Sequence, residues 1–93
     1  MTNSVLRNDL KMKCRYSLKI RCACPVDEGS DVYDAVFESD DLIKVEAILD
    51  AVRAYATIKA FQEDVTRSLA RTLGCQVTTI GYHSGVLTEV IAP

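Results

Sequence analysis

The sequence predicts a single α+β domain in the order ββααββ, an antiparallel sheet with a helix pair on one face. Three patterns lead there: strict alternation over residues 14–24, apolar residues at helical spacing between 42 and 73, and two β-rich runs after Gly74. In the first, Cys14, Tyr16, Leu18, Ile20, Cys22 and Cys24 share one face, and Arg15, Ser17, Lys19, Arg21 and Ala23 the other. Period two with one apolar face is the mark of a half-buried strand. The turn-rich Pro25-Val26-Asp27-Glu28-Gly29-Ser30 then leads into a second strand over 31–38.

Ser39, Asp40 and Asp41 offer helix N-caps and an acidic first turn. Leu42, Val45, Leu49, Val52 and Ala56 recur at helical spacing, with Ile48 and Tyr55 widening the stripe. Thr57 is placed to cap a second helix carrying Phe61, Val65, Leu69 and Leu73, and Gly74 suits its left-handed end. Val77, Thr78, Thr79 and Ile80 mark a third strand over 76–82. Ser84-Gly85 turns the chain into a fourth, over 86–91. Residues 1–13 read as an N-terminal extension and 14–93 as one domain. A domain of this size buries only about 60–65% of its unfolded surface. With two sheet edges to protect as well, self-association is expected.

Composition narrows the class. At 48% hydrophobic and 26% charged residues the chain is globular rather than disordered. No apolar run approaches the roughly 20 residues that span a bilayer. The first residues lack the apolar core of a secretory signal, so a cytoplasmic protein without membrane contact is expected. Cys22 and Cys24 have only one residue between them, too few for a zinc knuckle, and no metal is expected. On one strand face they would also form a distorted disulfide; a Cys14–Cys22 or Cys24–Cys75 bridge stays open. The net charge of −2 hides an asymmetry. Residues 1–24 hold six Lys or Arg against one acid, and residues 25–93 five against twelve. Taken alone, a basic stripe such as Arg15, Lys19 and Arg21 more often marks a solvated sheet edge, though it also suits a polyanion.

Two short segments are more specific. From Cys24 the chain reads CPVDEGSD, and from Phe61 it reads FQED. They resemble the C-P-x-x-G-x-x-D and F-H-E-D signatures of the enzymes that reduce 7-cyano-7-deazaguanine. Cys24, Pro25 and Asp31 match the first in register, with Glu28 on its glycine position and Gly29 one residue later; Phe61, Glu63 and Asp64 match the second, with Gln62 in place of histidine. The resemblance implies the tunnelling fold, whose element order agrees, and ring-shaped assemblies.

It also implies roles. Cys24 would add to the nitrile carbon, giving a thioimidate more open to a second nucleophile than the nitrile itself. Asp31 would move protons. Glu63, an acceptor-only carboxylate, would bind the two N–H donors of a guanine-like edge, with Gln62 beside it and His83 near a late substrate-contact turn. Singly, these residues read as a small buried hydrophobe, a turn acid and a first-turn helix acid. The joint pattern gives them a purpose.

One departure redirects the chemistry. The reductases carry a Glu-Ser-Lys-Ser-type segment that goes with the nicotinamide cofactor; here the stretch is Glu46-Ala47-Ile48-Leu49-Asp50-Ala51, without its lysine. The chain is thereby similar to the short QueF-like archaeosine synthases. These use no such cofactor and convert the nitrile, already installed in tRNA, to an amidine with ammonia. On that reading Arg15, Lys19 and Arg21 would meet tRNA phosphates. Two alternatives stand beside it: reduction of the free base with NADPH, and a non-catalytic module that binds a purine or RNA. The GTP cyclohydrolases share the fold and a Gln-Glu pair, but need a Cys-x-x-His zinc pair. Cys22-Ala23-Cys24-Pro25 cannot supply one.

Overall fold

The computed structural model describes residues 12–26 and 29–93; most of the expected 1–13 extension lies outside them. Strand β1 (Cys14–Ala23) pairs antiparallel with β2 (Ser30–Ser39), from Cys14 opposite Ser39 to Ala23 opposite Ser30. Helices α1 (Val45–Arg53) and α2 (Gln62–Leu73) follow, then β3 (Gln76–His83) and β4 (Val86–Ala92). The four strands form one antiparallel sheet in the order β1-β2-β3-β4. The predicted ββααββ architecture is what the chain adopts.

The alternation of β1 sets the core. Ile20 and Cys22 of β1, Tyr33, Ala35 and Phe37 of β2 and Val77 of β3 point to the helix side, where Ile48, Val65, Leu69 and Ala70 cover them. The helix starts differ from the sequence expectation. Ser39 does not cap α1: its Oγ accepts from the Asp41 N–H in a local turn, while the Ile43 N–H donates to the Tyr16 hydroxyl. Residues 40–44 are thereby held off the helix, which begins at Val45 with Lys44 at its N-cap. This rotates the expected stripe. Ile48 is buried and Ala51, Val52 and Tyr55 pack on the core, whereas Leu42, Val45 and Leu49 are exposed. Thr57 likewise caps nothing, because Lys59 forms a parallel bridge with Ala23 that keeps the chain extended up to Phe61, the N-cap of α2. Gly74 ends α2 in the left-handed region, at φ 64°, as expected.

The feature that positions the site is a parting of strands. The β2–β3 ladder runs from Glu38 opposite Gln76 to Asp34 opposite Ile80 and stops there. Continued, it would set Tyr33 against Gly81 and Asp31 against His83. Instead the Tyr33 ring lies over Gly81, so close that a Cβ there would sit 2.5 Å from its Cδ1. At this end β1, β2, β3 and the start of α2 meet.

Candidate functional site

A cleft of about 170 Å³ opens where the strands part. Cys24, Pro25 and Val26 line one side, Asp31 and Tyr33 another, Phe61, Gln62 and Glu63 a third, and His83 closes it. The five residues singled out for catalysis and base binding, Cys24, Asp31, Gln62, Glu63 and His83, are thus together although they span 60 positions of sequence. Two larger clefts lie elsewhere, one of about 510 Å³ at the C-terminal end of α2 and one of about 310 Å³ along α2 from Glu63 to Arg71, and neither contains Cys24.

Cys24 follows the last ladder residue of β1, and its N–H donates to the Gly29 carbonyl at 2.9 Å. That bond closes the turn and brings the chain back into β2. The side chain is 8% exposed, against 0% for Cys22. Cys22 lies directly opposite Asp31 in the ladder, and burial, then the neighbouring Asp31 charge, push its thiol above the usual range. Both effects disfavour the thiolate, so Cys22 is a core residue. All four cysteines are free: neither of the bridges left open by the sequence is present.

Asp31 accepts a hydrogen bond from the Tyr33 hydroxyl at 3.2 Å. Burial raises the Tyr33 phenol far above its ordinary value, and the Asp31 charge adds to this. Tyr33 therefore stays a proton donor to Asp31 throughout the physiological range. Sequence reasoning missed Tyr33, which falls unremarked within the second strand read over 31–38.

Gln62 is 1% exposed and spends its amide inside the protein. Its Nε2 donates to the Thr79 and Thr88 carbonyls and the Thr79 hydroxyl, each at 3.1 Å, and its Oε1 lies 2.8 Å from His83 Nε2. Thr66, one turn along α2, donates to the Gln62 carbonyl at 2.7 Å. The His83 ring is tilted by 46° against Tyr33, with centroids 5.7 Å apart. Glu63, next along α2, is exposed and borders both this cleft and the 310 Å³ one.

Arg15, Lys19 and Arg21 lie together on the exposed face of β1, away from the cleft lining. Two of them meet acids of β2: Lys19 Nζ is 2.7 Å from Asp34, and Arg15 Nε is 3.6 Å from Glu38. Among the described residues no group of three or more His, Cys, Asp or Glu could hold a metal ion. None of their helices is long and apolar enough to cross a membrane.

No protein-family profile matches the chain, and no curated protein matches it. A solved structure, the crystal structure of the archaeosine synthase QueF-Like in the apo form, does. It aligns with a TM-score of 0.75 and 20% identity over 86% of this chain and 90% of that one. The chain therefore has the α+β fold of the QueF-like archaeosine synthase, the tunnelling-fold arrangement that its two short motifs imply.

Proposed function

We propose that this chain forms an amidine on tRNA, converting a 7-cyano-7-deazaguanine nucleotide to archaeosine with ammonia through a thioimidate on Cys24. The observation that carries the proposal is the convergence of Cys24, Asp31 and Glu63 on one cleft. Asp31 takes the thiol proton; sulfur adds to the nitrile carbon; the proton ends on the former nitrile nitrogen. Glu63 receives the N–H donors of the base edge, which must leave its stack to enter the cleft. Ammonia then replaces sulfur. The absent lysine at 46–51 favours ammonia over hydride, since a thioimidate carbon accepts any small nucleophile that reaches it.

Arg15, Lys19 and Arg21 are assigned to tRNA phosphates, with Asp34 and Glu38 as the counter-charges that RNA displaces. Rings of this chain are part of the proposal. The sheet ends at β1 and β4, and Val86, Leu87 and Ile91 of β4 are exposed.

Intact-mass analysis after incubation with the free cyano base should show one adduct, lost in Cys24→Ala and kept in Cys22→Ala. Cyano-modified tRNA should then yield an amidine nucleoside with ammonium alone. An aminomethyl product with NADPH alone would replace the proposal by reduction. No adduct and no product would reduce the chain to a binding module.

A further inference from the structure

We infer that Gln62 holds His83 as its Nε2–H tautomer, leaving Nδ1 as a proton acceptor in the cleft. The argument follows hydrogen-bond direction. Gln62 Nε2 faces two backbone carbonyls, of Thr79 and Thr88, each at 3.1 Å. Carbonyls only accept, so the atom facing them is the NH₂; turned over, the amide would set Oε1 against both oxygens. The hydroxyls agree. Thr66 donates to the Gln62 carbonyl, so across the 2.7 Å Thr66–Thr79 contact it is Thr79 that donates. Thr79 Oγ1 is then left with lone pairs toward Gln62 Nε2, as its 3.1 Å contact requires.

With its nitrogen committed, Gln62 offers only Oε1 to His83, and Oε1 is an acceptor. The 2.8 Å contact therefore has a proton on Nε2. A neutral imidazole protonated at Nε2 carries its lone pair on Nδ1. Among the described residues Nδ1 makes no hydrogen bond, and the side chain lines the cleft. The titratable groups sharing that cleft are Cys24 from the end of β1, Asp31 and Tyr33 from β2, and Glu63 from α2. Asp31 is engaged by Tyr33, which keeps its own proton.

The consequence for chemistry rests on the proposed function. When ammonia adds to the thioimidate carbon, a C–N bond forms and the C=N π pair moves onto the imine nitrogen. The added nitrogen, now NH₃⁺, gives a proton to His83 Nδ1. The pair on the imine nitrogen re-forms the C=N bond as the C–S bond breaks with its electrons on sulfur. The imidazolium then protonates that sulfur. Amidine and free Cys24 thiol result, with no proton unaccounted for.

His83 is the only histidine of the chain, so ¹⁵N-histidine labelling reports on it alone. The neutral protein should show a protonated Nε2 and a lone-pair Nδ1; Gln62→Met, if folded by circular dichroism, should show averaging of the two tautomers. A protonated Nδ1 in the parent, or the same single tautomer in Gln62→Met, would overturn the assignment. For the reacting part, thioimidate is formed first and its loss to ammonium is followed. His83→Ala should react on the order of 10²-fold more slowly, and added imidazole should raise its rate with concentration. A parental rate in His83→Ala, or no response to imidazole, would refute the proton-transfer role. If the parent forms no thioimidate at all, the proposed function fails while the spectrum still decides the tautomer.

Discussion

Replacing Gly81 by alanine tests whether the Tyr33 ring is the spacer that holds the cleft together. An ideal Cβ at Gly81 lies 2.5 Å from Tyr33 Cδ1, 3.1 Å from Cε1 and 3.2 Å from the Val32 carbonyl oxygen. Carbon atoms pack comfortably at about 3.5–4.0 Å, so the ring must retreat by about 1 Å. Tyr33 is fully buried, bound to Asp31 and in contact with the His83 ring, so it has nowhere free to go. Overpacking of this kind costs about 1–3 kcal/mol, offset by about 0.5–1 kcal/mol from removing a flexible glycine. Gly81→Ala should therefore lose about 1–2 kcal/mol in urea unfolding with an unchanged slope, and its Cys24 adduct should form more slowly. If the ring is the obstacle, Tyr33→Leu should absorb part of the damage. The double variant should then fall short of the summed single losses by about 1 kcal/mol. A Gly81→Ala protein as stable as its parent, or losses that simply add, would refute this account.

Two further outcomes follow from the buried donors. Tyr33 and Cys22 both have raised proton affinity in the folded state. Above the ordinary thiol range near 8.5 and the phenol range near 10, the unfolded chain therefore holds fewer protons than the folded one. Stability should be complete below pH about 8 and fall as pH rises beyond it; Tyr33→Phe should flatten the steeper part of that limb in urea titrations at successive pH values. Cys22, with no exposed surface and a thiol kept protonated, should resist iodoacetamide at neutral pH. Peptide mapping that finds Cys22 alkylated in the native protein would show that the core opens there.

The fold was legible where burial alone decides it. Alternation in β1 rests on one apolar face and the β3 run on its β-branched residues, and both strands form as read. The helix starts were not legible, because they depend on partners distant in sequence. Tyr16 holds Ile43 and Ala23 bridges Lys59, and neither contact leaves a local trace. The site divides the same way. Cys24 and Asp31 sit around one turn, and the FQED segment marks where α2 begins. The partnership of His83 with Gln62 depends on β3 passing the N-terminal turn of α2, 21 residues away in sequence. Tyr33 was invisible because its hydroxyl partner, Asp31, is two residues back on its own strand. Its spacing looks like any core position.

The parted strands also bear on why such a site would be shared between chains. Closure of the β2–β3 ladder as far as His83 would fill the cleft with backbone, so the cleft end of the sheet is open at the cost of its own hydrogen bonding. The remaining space, about 170 Å³, is below the 300–1,000 Å³ usual for a site that encloses a ligand. Among the described residues the cleft therefore gathers a thiol, two carboxylates and an imidazole, but it is too small to enclose a nucleobase with its ribose. Val26 and Phe61, both apolar and well exposed, form part of the rim. In water such side chains are a liability; against a second copy they would add the missing wall and exclude water from the thioimidate, whose hydrolysis competes with attack by ammonia. Under the proposed function, assembly and catalysis thus have a common physical cause: the same opening that admits the base must be closed by surface that the described residues of one domain do not supply.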